Sequence, residues 1–167
     1  MSRKLLLLLA VIPLAGCAGT SAYQQCSGQG VRDPAVSIRA CTTLIQSARG
    51  TEQGLATIFI NRAGSYAAAG QYDRAIADLD RAIQLNPNSG AAFSLRGTVY
   101  YAEGQYEFAI KDLEQAIRLN PNDALSVRGR DIVRRALAQN LPPPTPAPPP
   151  PQPGFLARFF LALGAGL

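Results

Sequence analysis

Side chains able to do covalent chemistry are few in this chain of 167 residues. There are three cysteines, Cys17, Cys26 and Cys41, and no histidine. Lack of His removes the commonest general base and the commonest metal ligand. Cys26 and Cys41 do not have the C-x-x-C spacing of a redox-active pair, and two thiolates without imidazole make a poor zinc set. The chain has no G-x-S-x-G elbow, no phosphate-binding glycine loop and no H-E-x-x-H. The acidic residues Asp73, Asp78, Asp80, Glu107, Asp112 and Glu114 alternate with Arg and Lys. They read as solvated helix faces, with Asp78 and Asp112 placed to pair with Arg62 and Arg96. A carboxylate hydrolase needs a buried pair with separated pKa values, which this pattern does not provide. The expectation is therefore no enzyme: no catalytic residue, no metal, no cofactor and no small-molecule substrate. A net charge of +5, dispersed along the chain, also argues against nucleic acid, which needs a concentrated basic face.

What the chain does contain is one sentence written twice. Residues 70–88 read GQYDRAIADLDRAIQLNPN and residues 104–122 read GQYEFAIKDLEQAIRLNPN, 34 residues further on. A fixed period of 34 with helical patterning marks an array of helix–turn–helix units. Phe59, Ala63, Tyr66, Ala75, Leu79, Ala82 and Pro87 recur as Phe93, Gly97, Tyr100, Ala109, Leu113, Ala116 and Pro121. Small residues on paired helices let the backbones approach, and the aromatic and Leu positions fill the space between pairs. Gly70 and Gly104 end the first helices, where a left-handed residue is needed, and Pro87 and Pro121 stop the second ones.

This spacing of bulky, small, aromatic and Ala positions resembles the tetratricopeptide repeat (TPR) family. The resemblance implies an all-α fold, a short TPR solenoid of two full repeats plus flanking helices. The repeats span about 56–89 and 90–123, the end helix 123–139 and the TPR-like domain 34–140. Asp33-Pro34 starts the first helix of that domain, which Gly50 ends. The family's usual work is holding other proteins, with the first helix of each repeat lining a concave groove. By matched position the lining is Thr57, Ile60, Asn61, Gly64 and Ala67, then Ala91, Ser94, Leu95, Thr98 and Tyr101, then Leu125, Arg128 and Arg135. The partner-binding residues expected from this set are Ile60, Asn61, Ser94, Thr98, Tyr101, Arg128 and Arg135. An extended peptide or partner helix would lie there, with an acidic group near the two arginines. The set departs from the Lys/Asn carboxylate clamp of chaperone-tail-binding TPRs, so that specificity does not carry over. The end helix bears Arg128, Arg130, Arg134 and Arg135, which suits the solvated outer face of a solenoid's last helix.

Residues 1–16 read as a secretory signal: Arg3 and Lys4, then an apolar run from Leu5 to Ile12, then small residues. Leu14-Ala15-Gly16-Cys17 resembles the bacterial lipobox. That likeness implies a lipid on Cys17 and a lipid-anchored protein of the cell envelope facing the periplasm. Ala18, where Asp would mark inner-membrane retention, points to the outer membrane. The alternative is ordinary cleavage near Ala22 and a soluble periplasmic protein. With Cys17 lipidated, Cys26 and Cys41 remain as an even pair in an oxidising compartment, where a disulfide is expected. Two buried free thiols are the alternative. Closing a loop of that separation stabilises by about 3 kcal/mol. Residues 17–33 are expected to be a tether and irregular lead-in.

Residues 142–153, PPPTPAPPPPQP, hold nine prolines within a 141–154 linker. They read as a polyproline II stalk reaching ~37 Å at ~3.1 Å per residue. Residues 155–167, FLARFFLALGAGL, form an apolar tail whose ~20 Å as a helix is too short to cross a ~30 Å hydrocarbon core. It is left to the membrane interface, a partner or the chain's own groove. Together these features imply an interaction scaffold of the bacterial envelope that binds other envelope proteins, with a structural spacer subunit as the competing reading.

Overall fold

The computed structural model describes residues 18–28, 33–47 and 51–144; the signal segment, Cys17, the linker beyond Pro144 and the apolar tail lie outside them. Seven helices occupy the described residues: α1 (Ala18–Cys26), α2 (Pro34–Ser47), α3 (Glu52–Ala68), α4 (Tyr72–Leu85), α5 (Gly90–Ala102), α6 (Tyr106–Leu119) and α7 (Ala124–Ala138). Their starts follow local chemistry. Asp33 Oδ1 accepts from the Ala35 amide, Thr51 Oγ1 from Gly54 and Ser89 Oγ from Ala92, each satisfying a donor that the first turn cannot. Asp123 Oδ1 accepts from the Leu125 amide, and the Ser126 hydroxyl bonds its other oxygen. That hydrogen bond, more than the backbone ones, holds the Asp123 carboxyl below its ordinary value.

Each helix packs on the next, and α1, α3, α5 and α7 also touch in sequence, so the odd-numbered helices form one layer backed by the even-numbered ones. Ala63, Ala75, Leu79, Ala82, Ala92 and Val99 are sealed in one core cluster where α3, α4 and α5 meet, and Ala109, Leu113, Val133 and Ala136 in a second between α6 and α7. The small residues sit where the sequence puts them. A methyl group on Gly97 would lie 2.9 Å from Leu113 Cγ and 3.0 Å from the Ala109 carbonyl oxygen.

Two arginines lace the layers together. Arg62 on α3 forks onto Asp78 on α4 (Nε–Oδ2 2.7 Å, Nη2–Oδ1 2.8 Å) and donates to Thr42 on α2 at 3.1 Å. Arg96 on α5 forks likewise onto Asp112 on α6 (2.6 and 2.9 Å) and also meets Asp80 on α4. Each guanidinium lies over two rings of its own helix: Phe59 and Tyr66 for Arg62, Phe93 and Tyr100 for Arg96. Bonding to Asp112, against the cost of burial, raises the Arg96 pKa further above its already high value. The acidic residues are thus not all a solvated face. Asp78 and Asp112 are buried, because each is fully used by its arginine.

Three boundaries differ from those read in the sequence. Residues 17–33 were expected to be irregular, yet Ala18–Cys26 is helical and packs on α2 and α3. The Cys26–Cys41 disulfide joins α1 to α2, and the Ser37 hydroxyl donates to the Gln25 carbonyl at 2.7 Å. α3 begins at Glu52, a turn before the repeat boundary at 56, because Thr51 caps it. Residues 141–144, assigned to the linker, return onto the domain. The Tyr106 hydroxyl donates to the Leu141 carbonyl at 2.7 Å, and the Pro143 ring lies against Gly104.

Two outcomes follow from this packing. Gly97→Ala should lower the urea midpoint: overpacking costs about 1–3 kcal/mol and outweighs the ~1 kcal/mol helix-propensity gain. Gly129→Ala should leave the midpoint unchanged or raise it, since only the flexible end of Leu113 lies near, at 3.4 Å. Reducing the disulfide should raise amide exchange across residues 18–26 while α5 and α6 keep their protection, because the bond ties only α1 to α2.

Candidate functional site: the concave face

The odd-numbered helices present their outward residues to one concave face. Two separate hollows lie on it. The first, about 400 Å³, is floored by Ile60, Asn61, Gly64 and Leu95 and walled by Cys26, Ser27 and Gly28 at the end of α1. By the 34-residue period, α1 stands opposite the start of α3, with Ala22 opposite Ala56, but it ends well short of where α3 ends. The missing turns open this hollow, and the disulfide fixes its wall. The second, about 310 Å³, lies at the other end, between Tyr101, Ile132, Arg135, Ala136, Gln139 and Leu141.

The expected groove residues divide between these places. Ile60 and Asn61 lie in the first hollow; Tyr101 and Arg135 lie in the second. Ser94 is drawn into the fold, where its hydroxyl donates to the Ser126 hydroxyl oxygen of α7 at 2.8 Å while Ser126 donates to Asp123, so Ser94 joins α5 to α7 and lines neither hollow. Thr98 is exposed on the ridge between them, its hydroxyl returned to the Ser94 carbonyl at 2.9 Å. Arg128 and Arg135 are exposed. Each donates only to a backbone carbonyl of its own helix, Ala124 and Asp131 respectively, and neither meets a carboxylate among the described residues. By contrast, Arg130 pairs with Asp131 and Arg134 with Glu114.

Sequence reasoning missed the α1 wall and the apolar residues around Arg135. Ile132 is 45% exposed and Leu141 is 47% exposed, so the C-terminal hollow is an apolar surface beside a free cation. The 34-residue period carried back to Ala22 would have found α1. Nothing local would have found Leu141, whose place depends on Tyr106, 35 residues away. Among the described residues no cluster of His, Cys, Asp or Glu is arranged to hold a metal ion. The face can bind by shape, by apolar contact and through exposed arginines.

The tetratricopeptide repeat family model matches residues 63–139. No curated protein matches the chain. Among solved structures it is similar to the TPR2B domain of yeast Sti1 in a pHsp70 complex, at 26% identity over 73% of this chain and 97% of that one, with a TM-score of 0.61. The first TPR of Spaghetti (RPAP3) bound to the HSP90 peptide SRMEEVD shares 25% identity over 72% and 87%, TM-score 0.59. The Sgt2 TPR domain from Aspergillus fumigatus shares the fold at 20% identity over 84% and 93%, TM-score 0.64. Seven described helices in two layers, the 34-residue period and these likenesses agree: the described body has the all-α fold of a TPR domain and carries tetratricopeptide repeats over residues 63–139.

Proposed function

We propose that this chain is a protein–protein interaction adaptor of the bacterial cell envelope, anchored by a lipid on Cys17 and holding a peptide or helix of another envelope protein on its concave face. The observation that carries the binding reading is Arg135 in the apolar hollow of Tyr101, Ile132 and Leu141, with Arg128 exposed two turns earlier on the same helix. Arg62, Arg96, Arg130 and Arg134 are paired with carboxylates, whereas these two are exposed on α7 without one, at positions matching the family's binding face. A partner with one or two acidic residues followed by an apolar side chain suits that surface. The relatives' ligands support the general form, since the RPAP3 domain is bound to SRMEEVD, with its three acids. Their specificity stays behind: Lys111, the one lysine of the body, is on α6, away from the groove.

The envelope setting rests on sequence. The charged start, the apolar run and the Leu14–Cys17 motif support export and lipidation, Ala18 supports the outer membrane, and the Cys26–Cys41 disulfide suits an oxidising compartment.

Crosslinking in intact cells followed by affinity recovery should return the same partner from the wild-type chain repeatedly, and recovery should be lost with Arg128→Glu/Arg135→Glu. Unchanged recovery would remove the concave face from the reading. Anchoring is tested separately. Cells fed radiolabelled palmitate should label the wild-type chain and not Cys17→Ala, and an unlabelled wild type would make the protein soluble and periplasmic.

A further inference from the structure

The α3–α4 and α5–α6 turns are copies of one another, and one of them is occupied. Gly70 and Gly104 both take left-handed φ, 71° and 76°. Gly70 N donates to Ala67 and Gln71 N to Tyr66; Gly104 N donates to Tyr101 and Gln105 N to Tyr100. A tyrosine follows each, Tyr72 and Tyr106. At the second turn the chain leaving α7 doubles back. The Leu141 carbonyl accepts from the Tyr106 hydroxyl at 2.7 Å, and Pro143 lies over Gly104 so closely that an added Cβ would be 3.3 Å from its Cγ. This cover leaves Tyr106 only 7% exposed. At the first turn nothing lies within 4 Å of where a Cβ on Gly70 would be. Gly70 is exposed, and the Tyr72 hydroxyl has no hydrogen-bond partner among the described residues.

The Gly-Gln-Tyr turn is therefore a cradle for an extended, proline-bearing strand. The glycine leaves room for a pyrrolidine ring, and the tyrosine donates to a carbonyl two residues earlier. Such a strand has carbonyl acceptors and few amide donors, so a reader that only donates is matched to it. We propose that the Gly70–Tyr72 turn is a second cradle of this kind and that its occupant is this chain's own proline-rich segment beyond Pro144. Residues 141–144, which lead directly into it, lie in the first cradle and run from the end of α7 to the α5–α6 turn, with the α3–α4 turn next in the row. Neighbouring helices are ~8–10 Å apart, a gap that about three residues of polyproline II span. Residues 145–153 supply six more prolines to meet it. Ala69 stands where Glu103 stands in the other copy, leaving the approach to Gly70 wider. Covalent attachment favours this occupant over one from another molecule, because linkage sets a high effective concentration.

Photocrosslinking of the full chain tests it. With p-benzoylphenylalanine in place of Tyr72, irradiation should give a monomeric product whose crosslink maps to residues 145–153. The same probe at position 106 should map to 141–144. Replacing the six prolines of 145–153 by serine should lose the position-72 crosslink and move the Gly70 and Gln71 amide resonances of the otherwise wild-type chain. A position-72 crosslink to a second copy or to another protein would overturn the proposal. So would Gly70 and Gln71 resonances that stay in place, a readout that does not require the probe to be tolerated.

Discussion

A guanidinium shared among three helices is the constraint on which the body depends. Arg62 and Arg96 stand one period apart, and each commits three of its five donors: two to a buried carboxylate on the following helix, one to the helix before. Such a group cannot be partly satisfied, because removing one partner of a buried pair leaves a charge without water and costs about 3–5 kcal/mol. The pair therefore fixes the stagger of each first helix on its second, and the third contact fixes one repeat on the next. Arg130 holds the same place in the third copy, where no second helix follows among the described residues, and it turns to Asp131 beside it.

Around that lacing the core is small. Ala63, Ala75, Ala82, Ala92, Ala109 and Gly97 bring backbones together with little side-chain volume, and one large residue per repeat, Leu79 or Leu113, fills the centre. Close packing of this kind leaves the outer surfaces free to vary, so the concave face differs from end to end even though the helices repeat. One end is a hollow walled by a disulfide; the other pairs apolar residues with unneutralised arginines.

Much of this was legible in the sequence. The 34-residue period placed α3 to α6, the facing small residues, the turn glycines and the two ion pairs, because each of these is a local feature repeated. What escaped was set by distant contacts. The sequence of α1, AGTSAYQQC, has no strong apolar stripe, and its place beside α2 and α3 is supported by a disulfide and a serine hydroxyl rather than by propensity. Ser94 matched the pattern of a lining residue but was recruited by Ser126, two hydroxyls finding each other across 32 positions. The return of Leu141 to Tyr106 made a proline segment, read as wholly outside the domain, part of its edge.

α1 begins at Ala18, directly after the cysteine proposed to carry the lipid. Helical from that point and bonded to α2 by Cys26, the body would have no slack between such an anchor and its first rigid element. On the proposed attachment it would sit as a fixture against the bilayer rather than swing on a leash. The volume it could search would be that of its own width, and a partner would have to come to the membrane surface to be met. Recruitment would then be a matter of two-dimensional encounter, with the height of the binding face above the headgroups set by the stack of helices and not by chain flexibility.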